Sequence, residues 1–263
     1  MSFQPVIPFG GYAGWTFLQR TIAQQQTAFQ ASAASNREEA YFRDNIAKVT
    51  SAEDLVSDRR LLRVALTAFG LEGDVNSGAF VRKLLEGGTE DGKALANRLA
   101  DKRYLAFVKA FDFSGAVPAS AEKGFADGIL SLHATRRFET AVGAQSETMR
   151  LALNAQRELE DLTTSDSSEN AKWFGILGNK PLRIVFETAF GLPTGFGQMD
   201  IDRQLQVMKT RANSVLGSDS VSQLSDPERM EKLLRSYVIR ADMQSSGASY
   251  SSANTALMLL QRR

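Results

Sequence analysis

The residues first searched for chemistry are few. The single histidine, His133, stands in the run LHATRR, and a general base or a metal ligand would normally be sought there. No Ser or Cys nucleophile motif accompanies it, and a triad or a metal site needs convergent partners. It therefore reads as an ordinary residue on the face of a helix. The stretch Asp74, Asn76, Gly78 resembles the opening of a calcium loop, but its sixth position is Ala79 where glycine belongs. Its twelfth position is Leu85, with Glu86 one residue late, so a helix-capping loop is expected instead. Residues 191–197 are glycine-rich (GLPTGFG) yet lack the Gly-Lys-Ser/Thr ending of a phosphate-binding loop, and no strand precedes them. Arg37, Glu38 and Glu39, and the group Glu158, Glu160 and Asp161, read as solvated helix faces. None supplies a carboxylate pair embedded in apolar sequence. The expectation is no catalytic residue, no metal, no cofactor and no small-molecule substrate: a non-enzyme.

Composition narrows the classes further. The chain has 263 residues and no cysteine, which excludes disulfides, thiolate nucleophiles and Cys-based zinc sites. Its formal charge is +1, with 31 basic and 30 acidic residues spread along the chain, so nothing resembles the basic block that neutralises many phosphates. Nucleic acid is not an expected partner. No run of about 18 apolar residues occurs, and the first residues lack a basic segment followed by an apolar one. A soluble protein without membrane insertion or a cleavable signal is expected.

The elements that would position any site repeat. Residues 55–71 (LVSDRRLLRVALTAFGL) align without a gap on residues 176–192 (ILGNKPLRIVFETAFGL), an offset of 121. Leu61/Leu182, Val64/Val185, Thr67/Thr188, Ala68/Ala189, Phe69/Phe190, Gly70/Gly191 and Leu71/Leu192 are identical pairs. Asp58 and Asn179 are good N-caps ahead of these runs, Pro181 fits a first helical turn, and Gly70 and Gly191 suit a left-handed helix stop. Further helices are expected over 78–86, from Asp101 through Phe111, and from Asp226–Pro227 through Val238. Long polar helices are expected over about 12–48 and 119–162, the first with a break near Ser35 and Asn36. Gly115, Val117 and Pro118 mark a junction. The fold expected is all-α, a tandem duplication of a multi-helix unit with long amphipathic N- and C-terminal helices. Its parts would be residues 1–118, residues 119–242, and a flexible linker and helix over 243–263.

Trp15, Leu18, Ile22 and Phe29 share one face of the N-terminal helix, with Gln25 between them, and Leu257 and Leu260 share one face at the C-terminus. Burial of each large apolar side chain is worth roughly 1.5–3 kcal/mol, so neither face stays bare in water. These faces pack against each other, against the core, or against a protein partner or second copy, and they are the candidate partner-binding residues.

Residues 41–55 (YFRDNIAKVTSAEDL), 60–71 (RLLRVALTAFGL) and 95–104 (LANRLADKRY) resemble an alphaproteobacterial family of uncharacterised helical proteins associated with flagellar gene clusters. The resemblance covers most of the chain and rests on helix-packing patterns, so it carries over no catalytic residue. It implies a structural or assembly part in the bacterial flagellum, in the cytoplasm or after export without a cleavable signal peptide. Axial flagellar proteins are similar in their amphipathic termini but carry β-rich middles, whereas this middle reads as helical. The alternative is a helical adaptor or chaperone-like binding module unrelated to flagella.

Overall fold

A computed structural model describes residues 3–31, 33–99, 101–114 and 118–249, with the side chains of 33–36 and 246–249 left aside. The described residues form thirteen α-helices and no strand, so the fold is all-α. In chain order they are α1 (Gly11–Gln30), α2 (Ala33–Ile46), α3 (Ala52–Ser57), α4 (Arg59–Ala68), α5 (Gly78–Glu86), α6 (Leu95–Arg98) and α7 (Arg103–Ala110). There follow α8 (Phe125–Gly143), α9 (Glu147–Thr164), α10 (Glu169–Gly178), α11 (Lys180–Phe190), α12 (Ile201–Leu216) and α13 (Pro227–Ser249). The chain divides into two compact units, one of residues 1–6 with 21–141, the other of residues 7–20 with 142–263. Helix α1 contributes its first half to the second unit and its second half to the first.

In the first unit α4 is bounded by chemistry visible in the sequence. The Asp58 carboxylate accepts the backbone N–H groups of Arg60 (2.9 Å) and Leu61 (3.1 Å), two donors that a helix start would otherwise leave unpaired. The helix stops where Gly70 turns left-handed (φ 70°). The N–H of Gly70 reaches the carbonyl of Thr67 (3.0 Å) and that of Leu71 reaches Leu66 (2.8 Å), the two bonds of a Schellman stop. Between these ends Leu61, Leu62, Val64, Ala65, Leu66 and Ala68 are all buried, so α4 lies inside its unit rather than on its surface. Phe42, Leu55, Leu84, Phe107 and Phe111 complete that core.

The second unit treats α11 in the same way. Asn179 accepts from the N–H of Leu182 (3.3 Å), Pro181 occupies the first turn, and Gly191 (φ 62°) ends the helix. Gly191 donates to Thr188 (3.0 Å) and Leu192 to Glu187 (2.8 Å). Leu182, Val185, Phe186, Ala189 and Phe190 are buried beside Trp173 and Leu159.

Three boundaries differ from those read in the sequence. The first long helix breaks at Ala31, and Ser35 and Asn36 lie within α2, since nothing at those positions removes a backbone donor. The stretch expected as one helix over 119–162 is α8 and α9. Gln145 and Ser146 both donate to the carbonyl of Val142, and the Ser146 hydroxyl then caps α9 by accepting from Met149 (3.3 Å). Helix α13 continues through the serines at 245–249, where a linker was expected, because no proline or positive-φ glycine interrupts that stretch. Gly115 and Val117 lie outside the described residues, as does everything from 250 onward.

Candidate functional site

The residues that suggested chemistry are held apart in structural roles. His133 is buried within α8 at 3% exposure, not on an open helix face, and its Nδ1 has no hydrogen-bond partner. Burial, with the nearby positive charge of Arg137 as a second cause, lowers its pKa to about 4, so the ring is neutral at physiological pH. Arg137 is itself paired with Glu38 at 3.3 Å. Asp74 accepts the Tyr104 hydroxyl (2.7 Å), and burial together with that contact raises the Tyr104 pKa to about 12. Asn76 accepts from Arg59 (2.6 Å), so the calcium-like stretch is spent on fastening the turn before α5. Among the described residues no group of three or more His, Asp or Glu side chains is placed to hold a metal ion. In the glycine-rich loop, Phe196 is buried and the Gly197 carbonyl accepts from Gln204, leaving no phosphate cradle.

The candidate partner-binding face of α1 is divided between the units and packed. Trp15 and Leu18 are 1% and 0% exposed in the core of the second unit, so a partner would have to displace that packing to reach them. In the first unit Ile22 and Phe29 are half-buried. The Phe29 ring meets Phe138 edge-on at 5.8 Å between centroids, with the Arg137 guanidinium 5.6 Å above it. Gln25, the polar residue in the seam, accepts from the N–H of Val6 (2.7 Å) and donates to the Val6 carbonyl (3.1 Å). These large apolar side chains gain more from their own core than from waiting in water, which is why the face is covered. Leu257 and Leu260 lie outside the described residues.

The densest polar arrangement in the second unit was not foreseen. Lys172, at 4% exposure, donates to the Ser222 hydroxyl (2.7 Å) and the Thr163 carbonyl (3.2 Å), with the Glu169 carboxylate 3.7 Å away. Glu169 in turn accepts from the N–H groups of Val221 (2.5 Å) and Ser222 (3.3 Å) at the start of the short 3₁₀ turn Ser222–Ser225. Burial works to raise the Glu169 pKa, but the Ser222 and Ser220 hydroxyls and these N–H groups overcome it and hold it at about 2. Through these bonds Lys172 and Glu169 tie α10 to the end of α9 and to the turn. The signal in the sequence was the i,i+3 spacing of Glu169 and Lys172 behind a capping Ser168, obscured by a serine-rich loop.

The second unit also carries surface features that could meet a partner. A cleft of about 280 Å³ is walled by Gln19, Gln156, Glu160 and Glu231 above Leu224, Met230 and Leu234. On α13, Ile239 and Met243 are 37% and 68% exposed one turn apart.

Residues 68–230 match the family described as a protein of unknown function (DUF1217), and the chain belongs to that family. It is similar to a protein of Agrobacterium tumefaciens, an alphaproteobacterium, whose X-ray crystal structure comes from a structural genomics consortium. That likeness has 28% identity and a TM-score of 0.75, covering 92% of this chain and 99% of that one. No curated protein matches. Among the described residues no helix is long and apolar enough to cross a membrane.

Proposed function

We propose that this chain is a non-enzymatic structural or assembly protein that works through protein contacts, and that its setting is the bacterial flagellum. One observation carries the first part: the groups able to do chemistry are dispersed and engaged in caps, turns and ties, while large apolar side chains on α13 stay exposed. Ile239 and Met243, one turn apart on α13, are where this reading places a protein contact. The flagellar part rests on the resemblance of residues 41–55, 60–71 and 95–104, and an alphaproteobacterial relative of nearly equal length accords with it. We also read the two units as products of a duplication, supported by the gapless 121-residue offset and the Thr67/Thr188 identity within it. The test is a gene deletion combined with fractionation of a tagged copy. Impaired motility and co-purification with hook–basal bodies are expected, and normal flagella with no association would remove the flagellar setting. The second reading, an adaptor that holds a peptide, is favoured by the cleft beneath Gln19 and Glu231.

A further inference from the structure

The cleft in the second unit combines three kinds of wall, and together they specify what would lie in it. Its floor is apolar: Leu224 and Leu234 are 2% exposed and Met230 7%, so the core beneath holds them in place. Its charged rim is acidic. Glu160 on α9 and Glu231 on α13 line it, and no Lys or Arg does. The Tyr12 hydroxyl donates to Glu231 (2.8 Å) and steadies that carboxylate. Nearby arginines are engaged elsewhere. Arg157 pairs with Glu158 at 2.8 Å, and the Arg235 guanidinium lies 5.0 Å from the centre of the Tyr12 ring. The third wall is an amide pair. Gln19 of α1 donates through Nε2 to Oε1 of Gln156 (3.0 Å), which leaves Gln19 Oε1 as an acceptor and Gln156 Nε2 as a donor. One acceptor beside one donor is the complement of a peptide group.

An apolar floor under two carboxylates suits a cationic side chain, which lays its methylenes on the floor and keeps its charge at the rim. At about 280 Å³ the cleft falls just under the range of about 300–1,000 Å³ usual for small-molecule pockets, so it has room for one or two side chains. A metal ion fits less well. Calcium takes about six to eight oxygen ligands, and among the described residues no group of three or more His, Asp or Glu side chains converges. We propose that the cleft docks a basic peptide segment of a partner protein. A Lys or Arg side chain lies between Glu160 and Glu231, and the peptide backbone meets the Gln19 and Gln156 amides. This deepens the adaptor reading above and rests on it.

The experiment pans a displayed library of random heptapeptides on the full chain and, in parallel, on Thr164→Arg. Thr164 is exposed at the cleft, one turn after Glu160, so the new guanidinium sits beside that carboxylate and occupies the space. Thermal melts check that each variant is folded. Peptides enriched on the native chain should carry Lys or Arg next to an apolar residue, and Thr164→Arg should remove the enrichment. One enriched peptide is then labelled for fluorescence anisotropy at low salt. It should bind about 2–5-fold more weakly to Glu160→Gln or to Glu231→Gln, the size of a solvent-exposed ion pair. Raising the salt to about 500 mM should shrink that difference. Neutral or acidic peptides that Thr164→Arg excludes would overturn the basic partner while leaving the adaptor reading in place. An enrichment indifferent to Thr164→Arg, or none at all, removes both. A basic peptide that binds both glutamine variants as well as the native chain also overturns the proposal. The motility and fractionation outcomes stand apart from all of these.

Discussion

Lowering the pH from 7.5 to 5 should destabilise this protein through one side chain. His133 is the only histidine in the chain, and it is buried with its folded pKa lowered to about 4. In the unfolded chain it takes up a proton near its ordinary 6.5. Because the folded pKa is the lower one, unfolding binds a proton between these values. The associated stability is complete above about 6.5 and is lost as the pH falls toward 4. A gap of about 2.5 units corresponds to about 3 kcal/mol in full, and about 2 kcal/mol of it disappears between pH 7.5 and 5. Burial is the larger cause and the charge of Arg137 the smaller, so raised salt should leave most of the effect in place. The assay is urea denaturation at both pH values, with His133→Leu as the control. The variant should lose none of this increment. At pH 7.5 it should match or exceed the native chain by up to about 1 kcal/mol, since it removes a buried nitrogen without a partner. Native stability equal at the two pH values, or an equal loss in the variant, would refute the reasoning. Carboxylates with raised pKa such as Glu187, shifted by burial, work in the opposite sense and do not imitate the loss.

Glycines give a contrast within one series. Gly128 in α8 has open space around it, so Gly128→Ala should stabilise by about 0.5–1 kcal/mol. A methyl group on Gly14 would stand 2.0 Å from the Phe9 carbonyl, so Gly14→Ala should cost several degrees in a thermal melt at the least. Glu169→Gln should destabilise by about 1 kcal/mol, discounted because the side chain is 37% exposed. Since its folded pKa of about 2 lies below the usual 4.5, that contribution is present above 4.5 and lost as pH falls toward 2, which melts at pH 6 and 3 would register. Leu18→Ala removes a fully buried side chain and should cost about 2–5 kcal/mol in urea titration, which would establish that the inner face of α1 belongs to the core.

Much of the helical order was legible because it is written locally. Asp58, Asn179, Pro181, Gly70 and Gly191 act on backbone groups within a few positions of themselves, and each stands in the role its chemistry suggests. The break between α8 and α9 is also local, set by Ser146, but its capping signal was hidden in a run with no proline. What could not be read was burial that depends on distant sequence. His133 looks like a surface residue beside two arginines, and only packing makes it a core residue. The Lys172 tie joins residues about fifty positions apart across a loop that reads as filler. The face of α1 was recognised as apolar from its spacing, but spacing does not distinguish a partner from the chain's own core.

The internal identities carry more than one kind of constraint, and separating them bears on the duplication we propose. Gly70 and Gly191 are both left-handed, so glycine there follows from backbone geometry and would arise in unrelated helices with the same stop. Leu61/Leu182, Val64/Val185 and Ala68/Ala189 are buried pairs, and apolar character at those spacings follows from any amphipathic helix. Neither class alone requires common descent. Thr67 and Thr188 differ in kind, because both are half-buried and serve the stop through their carbonyls, a function any residue provides. An identity that geometry and burial leave undetermined is what a copied segment retains. The proposed common origin of the two segments therefore rests on the threonine pair and the gapless offset more than on the shared Ala-Phe-Gly-Leu ending.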